Sequence, residues 1–302
     1  MLPSELVSVE APSSADSHPK REPLAGEPPL LVIEPTSGWR ALNLRELWRY
    51  RELLGFLTWR DVKIRYKQTA LGAAWAILQP AMTMVVFTLF FGRGAGMAQK
   101  VPDISYPLFV YAGLLPWLFF STSITTAGTS LVNNQNLISK IYFPRLMIPL
   151  SSVGAAFVDL SIAFLLLVGM MPFYGRGPGL GIVLLPVVLV LMTLLTVGVG
   201  AILAGLTVAY RDFRYVVPFV TQMWMFVTPI MYPTSIVREE WRWLWGLNPM
   251  AGVVETFRYS VLDWPADWTP WTLAMSTVMT VGIFFAGIFY FRQVERGFAD
   301  VV

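Results

Sequence analysis

The chain has no cysteine and one histidine, His18, among its 302 residues. Disulfides, thiol catalysis and thiolate metal sites are therefore excluded. A lone histidine in a polar N-terminal stretch offers no cluster for metal or acid–base chemistry. Charge is also scarce. Asp, Glu, Lys and Arg make up 14% of the residues, where a soluble domain carries about a quarter. No G-x-x-x-x-G-K-[ST] run occurs, so no loop of this chain can cradle nucleotide phosphates in that way. Gly177, Gly179 and Gly181 follow no strand and read as a short turn between spans.

Apolar residues fill the space that charge leaves. They form 55% of the chain, and the mean hydropathy is +0.58. In "TWRDVKIRYKQTALGAAWAILQP", from Thr58 to Pro80, a dense basic cluster runs into a stretch with no charge between Lys67 and Arg93. Such runs recur, and a helix of about 20 apolar residues crosses ~30 Å of hydrocarbon. The pattern predicts an all-α integral membrane protein with six transmembrane helices, over 71–91, 107–132, 146–173, 180–209, 216–236 and 268–291.

Residues 1–38 hold seven prolines with scattered Ser and Glu, and read as a disordered tail. The tail lacks the basic start and apolar run of a signal peptide, so the first span is expected to direct insertion. Residues 39–67 form a second unit, and 68–302 the membrane domain. In the second unit Leu47, Tyr50, Leu54 and Leu57 recur at helical spacing, with Arg45, Arg49, Glu52 and Arg60 opposite. An amphipathic interfacial helix at the headgroups fits this pattern, as does a helix packed on a soluble domain. The pattern fails at Asp61 and Arg65, which predicts a bend or a new helix near Trp59.

Orientation follows from the cations. One set of connections carries Arg60, Lys63, Arg65 and Lys67, then Lys140 and Arg145, Arg211 and Arg214, and Arg292 and Arg296. The other carries Arg93 and Lys100, Arg176, and Arg238, Arg242 and Arg258 in a longer connection. The first set is larger and lies closer to the spans, which places it and both termini in the cytoplasm. Topology, rather than nucleic-acid binding, then explains the basic balance, and the Arg60–Lys67 cluster can meet anionic lipid.

Between the fifth and sixth spans, "WRWLWGLNPMAGVVETFRYSVLDW" holds two short apolar pieces split at Asn248–Pro249. Asn before Pro favours a turn. A re-entrant helix pair fits, as does an external loop lying on the membrane. Asp159 is the only carboxylate in a span. An intramembrane acid is expensive and suggests function. The alternative is a hydrogen-bonded Asp tying the third span to a neighbour, with the hydroxyl-rich second span (Ser121 to Thr126) as the expected partner.

Four stretches resemble one family in order and character. They are "RDVKIRYKQTALGAAWAILQP", "LVNNQNLISKIYFPRLMIPLSS", "AYRDFRYVVPFVTQMWMFVTPIMY" and "NPMAGVVETFRYSVL". The chain resembles ABC-2 type permeases of the polysaccharide exporters, the O-antigen, capsule and teichoic-acid type. The resemblance implies a homodimer in the bacterial cytoplasmic membrane, two copies of a separate ABC ATPase that hold ATP and Mg, and a lipid-linked glycan as substrate. It implies no cofactor or metal in this chain.

Only cytoplasmic connections can meet a soluble ATPase. Asn134, Leu137, Ile138, Ile141, Tyr142 and Phe143 are the docking candidates between the second and third spans, as exposed apolar knobs for a partner's groove. Arg211 and Phe213 are the candidates in the next such connection. Aromatic rings suit the apolar faces of sugars, and Trp75, Phe87, Phe91, Trp117 and Tyr259 are the candidates for the substrate path. Two other readings remain open at this stage. One is an ABC-2 permease for a small drug or lipid. The other is a membrane-embedded glycosyl- or acyltransferase, which the isolation of Asp159 and His18 counts against.

Overall fold

A computed structural model of the chain describes residues 44–67, 72–140, 143–264 and 270–295. All regular structure among them is helical. The N-terminal tail, Ile141 and Tyr142 lie outside the described residues.

Helix α1 (Leu44–Arg49) and helix α2 (Arg51–Tyr66) come first. The break between them falls at Tyr50, and α2 runs unbroken through Trp59, where a bend or a new helix was expected. The two residues that spoiled the apolar stripe explain the continuity. Asp61 accepts a hydrogen bond from Ser151 (2.9 Å), and Arg65 pairs with Asp159. Both are polar because they face partners on another helix, so no bend is needed to turn them outward.

Helix α3 (Trp75–Phe87) starts from a tight turn at Gly72–Ala74 and loosens into π-helical turns over Thr88–Gly94. Helix α4 (Tyr106–Asn133) is followed by the one-turn α5 (Gln135–Ile138) and by α6 (Met147–Phe173). Helix α7 (Leu185–Ala209) is entered through a 3-10 turn at Leu180–Leu184. Then follow α8 (Phe213–Val227), α9 (Arg242–Leu247), α10 (Pro249–Leu262) and α11 (Pro270–Glu295).

Among the described residues, five segments are long and apolar enough to cross a membrane: Gly72–Gly94, Tyr106–Asn133, Met147–Phe173, Leu180–Ala209 and Leu273–Glu295. The expected span over 216–236 is α-helical only as α8, whose 15 residues reach ~22 Å. The helix stops at Thr228, which turns to extended backbone (ψ 134°). Pro229 forces this, because its ring excludes the α region for the residue before it.

Helix α4 is the axis of the fold. It is packed by α3, α6, α7, α8 and α10, and most of its residues are buried. By contrast α3 buries only Pro80 and Phe87. Helices α4, α7 and α11 run in the same direction. Ala127 faces Gly200 and Gly128 faces Leu203, while Gly198 faces Phe284 and Gly205 faces Tyr290. The α7–α11 contact is backbone on backbone. A Cβ on Gly198 would sit 2.7 Å from the Phe284 Cα, and one on Gly287 would strike the Gly198 carbonyl. Small residues permit this approach where no hydrophobic effect drives helices together.

The connections therefore sort to two ends. At one end the Arg145 backbone N–H donates to Glu295 (3.3 Å). At the other, Arg176 donates to the Asp103 carbonyl, and Gly181 lies 2.5 Å, at its would-be Cβ, from the Tyr259 carbonyl.

Candidate functional site

Asp159 ties α6 to α2. Arg65 and the Tyr66 hydroxyl both donate to its carboxylate. The hydroxyls of α4 expected to hold it are instead spent on their own helix. Thr125 donates to the Ser121 carbonyl (2.7 Å) and Thr126 to that of Thr122 (2.8 Å). Burial pushes the Tyr66 hydroxyl above its ordinary pKa, with Arg65 opposing, which keeps it a donor. Burial also pulls the Arg65 guanidinium down, against the charges of Tyr66 and Asp61. Within the basic cluster, Arg60 is bonded to Asp61 (2.8 Å) and Arg65 to Asp159, while Lys63 and Lys67 are exposed. Trp48, Phe56, Trp59 and Ile64 are also exposed on α1 and α2.

Beside Asp159 a cleft of about 400 Å³ opens between α3, α4 and α6. Its polar margin includes Arg65, Tyr66, Gln79, Thr122 and Thr126, and the Trp75 ring lines it. Leu115, Leu160 and Ala163 line it as well.

A second polar centre lies inside the protein. Every residue of α10 but Tyr259 is buried, Glu255 and Arg258 included. Arg258 was counted among the cations of the longer connection, and it is wholly buried. Its Nε donates to the Phe109 carbonyl (3.1 Å), its Nη2 to the Ile230 carbonyl (2.6 Å), and its Nη1 to Glu255 (3.2 Å). The guanidinium lies 3.7 Å from the Phe109 ring centroid. Gly113 supplies the room, since a Cβ there would strike the guanidinium. Thr234 adds a hydrogen bond to Glu255 (2.9 Å). One ion pair thus fastens α4, the stretch after α8, and α10. Glu255 and Arg258 stand three residues apart on one helical face, the single sequence signal that they meet.

Asn248 and Pro249 make the turn between α9 and α10. The Asn248 side chain caps α10 by accepting from Met250 N–H (3.1 Å). It also accepts from Trp224 (2.9 Å) and donates to Thr228 (3.2 Å).

The candidate path residues do not share one surface within the chain. Trp75 is half exposed, at 51%, and lines the cleft. Phe87 and Phe91 meet edge-on, 5.6 Å between centroids. Trp117 is buried against Phe120 (5.7 Å), which in turn meets Trp224 (5.1 Å). Tyr259 is half buried. Of the docking candidates, Asn134 stands at the start of α5, and its side chain donates to the Ser130 carbonyl (2.8 Å). Leu137 and Ile138 are half buried against the core. Phe143 was expected as an exposed knob but is 5% exposed, because it is drawn into the core at the foot of α6. Arg211 is exposed and Phe213 half buried, with the ring of Phe213 beside Tyr210 (6.2 Å).

Residues 52–262 match the family described as "ABC-2 type transporter". A Myxococcus xanthus protein named O-antigen export system permease protein RfbA is 34% identical over 219 residues, 71% of this chain and 82% of that protein. A Klebsiella pneumoniae protein of the same name is 27% identical over 257 residues, 83% of this chain and 95% of its own. Polysialic acid transport protein KpsM of Escherichia coli is 29% identical over 214 residues, 67% of this chain and 78% of that protein.

Proposed function

The chain belongs to the ABC-2 type transporter family, and from that premise we propose that it is the membrane subunit of an ATP-driven exporter. Its cargo is a lipid-linked polysaccharide of the O-antigen type, carried out across the bacterial cytoplasmic membrane. The observation behind this is the likeness to relatives named for O-antigen and polysialic acid transport over most of their length. Those names favour a glycan over a small drug or lipid. The chain is a transport subunit and not an enzyme. Hydrolysis of ATP with Mg belongs to two copies of a separate ABC ATPase, and two copies of this chain form the conduit.

In this reading α8 is the fifth of six spans, and α9 and α10 are a re-entrant pair. Packing depth supports the pair. The Asn248 turn is bonded to Trp224, which touches Phe120 midway along α4. Arg258, farther along α10, meets Phe109 near the start of α4. Eleven residues separate those α4 positions, or about 16 Å of helix. The turn therefore lies deep and α10 leads back out, with its irregular backbone enclosed by protein. Helices α1 and α2 lie at the cytosolic headgroups with both termini inside. Exposed Trp48, Trp59, Lys63 and Lys67 suit that boundary.

Helix α5 and the turn at 211–213 are the docking surface for the ATPase, centred on Ile138. Co-purification tests this. Ile138→Asp is expected to lower recovery of the ATPase at least about tenfold, as loss of a buried apolar anchor does, in a chain that still unfolds cooperatively on heating. Lipid-linked glycan is expected to raise ATP hydrolysis by the parent complex. A variant complex recovered intact would remove the docking assignment, and hydrolysis indifferent to the glycan would remove the cargo.

A further inference from the structure

The Arg65–Asp159 pair is not saturated. Side-chain exposure is 28% for Arg65 and 26% for Asp159, and both line the cleft between α3, α4 and α6. Arg65 bonds Asp159 through Nη1, and a guanidinium has five N–H donors. Each Asp159 oxygen accepts one bond, from Arg65 or from Tyr66, where a carboxylate can take about four. A cation and an anion thus stand side by side with capacity to spare. Lys63 and Lys67 are exposed but do not line the cleft, so among the described residues this pair is all of its charge.

The lining also has a direction. Phe119 of α4 meets Phe157 of α6 (4.7 Å between centroids), and the Tyr111 hydroxyl donates to the Ala163 carbonyl (3.0 Å), so the two helices run antiparallel. Thr126 and Thr122 therefore lie on one side of the Asp159 level, and Leu115 and Ala163 on the other. Gly72, where the first apolar segment begins, lines the same cleft. That segment ends beside Tyr106, where a Cβ on Gly92 would strike the ring. The charged pair is thus level with the start of the hydrocarbon, and Leu115 and Ala163 lie inward of it.

A ligand that answers both charges must carry both. A phosphodiester fits the open edge of the guanidinium fork. A primary ammonium, with three N–H donors, fits the open lone pairs of the carboxylate. The four charges then alternate, and the Arg65–Asp159 tie need not break. A head with phosphate alone would meet Asp159 as well as Arg65. A trimethylated ammonium has no N–H to give and is held by a cage of aromatic rings. The rings here form no cage, since Phe119 is 3% exposed and the Tyr66 hydroxyl is committed to Asp159, which leaves Trp75 at half exposure.

We propose that the cleft binds a zwitterionic aminophospholipid of the surrounding bilayer, with its phosphate on Arg65, its primary ammonium on Asp159 and its acyl chains toward Leu115 and Ala163. Such a lipid is a resident part of the wall that braces α2 against α3 and α6. It is not the exported glycan, and the inference stands apart from the export reading.

The test uses the full chain in phosphatidylcholine nanodiscs that hold a trace of phosphatidylethanolamine with a diazirine in one acyl chain. After photolysis, labelled peptides are mapped by mass spectrometry. Label is expected on the stretches around Leu115 and Leu160. The same diazirine chain on a phosphocholine or phosphoglycerol head is expected to label them at least about tenfold less, as loss of charge-assisted hydrogen bonds does. Asp159→Asn, checked for cooperative thermal unfolding, is expected to remove the preference for phosphoethanolamine over phosphocholine. Soluble glycerophosphoethanolamine, which has the head without the chains, is expected not to compete. Equal label from the phosphocholine probe would overturn the ammonium site. Equal or stronger label from the phosphoglycerol probe would make Arg65 a plain anion site and overturn the zwitterion. A preference that survives Asp159→Asn would overturn the assignment to this cleft, and competition by glycerophosphoethanolamine would overturn a lipid as the source of the head group. If Asp159→Asn abolishes label from every probe, the cleft has closed with the loss of the tie, and the ranking of the three heads on the parent chain decides.

Discussion

Replacing Arg258 with methionine should loosen the packing of α10 on α4 more than any surface change. The guanidinium is fully buried, with hydrogen bonds to Phe109 (3.1 Å), Ile230 (2.6 Å) and Glu255 (3.2 Å). Methionine roughly keeps the volume but leaves the Glu255 carboxylate in a dry interior without its cation. Breaking a buried ion pair from one side costs about 3–5 kcal/mol. Glu255→Met alone is costly for the mirror-image reason. The double substitution removes both charges together. It leaves the Ile230 carbonyl short of a donor, at about 1–3 kcal/mol, and no buried charge. The two single costs should therefore exceed the cost of the double by more than about 1 kcal/mol, as for groups in direct contact. Arg258→Lys should recover only part of the loss, since an ammonium cannot span three acceptors held by a planar fork. Unfolding by SDS titration in mixed micelles, followed by tryptophan fluorescence, measures all four variants. Costs that add to within about 0.5 kcal/mol would refute the clamp.

Asp159→Asn should loosen α2 from α6 by about 1 kcal/mol, a modest figure because both partners are partly solvated; a cysteine placed at Thr58, which packs on Gly154, should then react faster with maleimide, and an unchanged rate would count against the tie. Gly198→Val should cost about 3 kcal/mol or prevent accumulation of folded protein, because its side chain would meet the Phe284 backbone, which cannot rotate away. Asn248→Ala should lower stability by about 1–2 kcal/mol through loss of the α10 cap and the Trp224 bond, read by the same SDS titration. The absence of native cysteine makes single-cysteine topology mapping direct. Cysteines at Ser139 and at Trp243 should label from opposite faces of the membrane, and labelling from the same face would contradict the six-span reading.

The long helices were legible because their requirement is blunt. Apolar runs of that length have few places to go, and the ranges 107–132 and 146–173 differ by a residue or so from Tyr106–Asn133 and Met147–Phe173. The shortness of α8 was written in the sequence as Thr228–Pro229, yet the apolar residues beyond it extended the expected span. Polar residues were misread wherever their partner was distant. Arg65 lies 94 residues from Asp159, so on the sequence it looked like a defect in an apolar stripe and a charge for lipid. Arg258 looked like a loop cation because its acceptors, Phe109 and Ile230, belong to other segments. Phe143 looked like a free knob because local spacing does not show that α6 begins by folding it inward. The cleft could not be seen at all, since three helices distant in sequence contribute its walls.

The central claim is that this chain supplies the membrane path and a partner chain supplies the energy. Inside-out vesicles that contain this chain and its ATPase, loaded on the outer surface with fluorescent lipid-linked glycan, test it most directly. The account predicts that ATP makes the glycan resistant to an added glycosidase, and that the protection is lost when either chain is omitted or the ATPase carries an inactive nucleotide site. Protection that arises from this chain alone, or that proceeds without ATP hydrolysis, would contradict it.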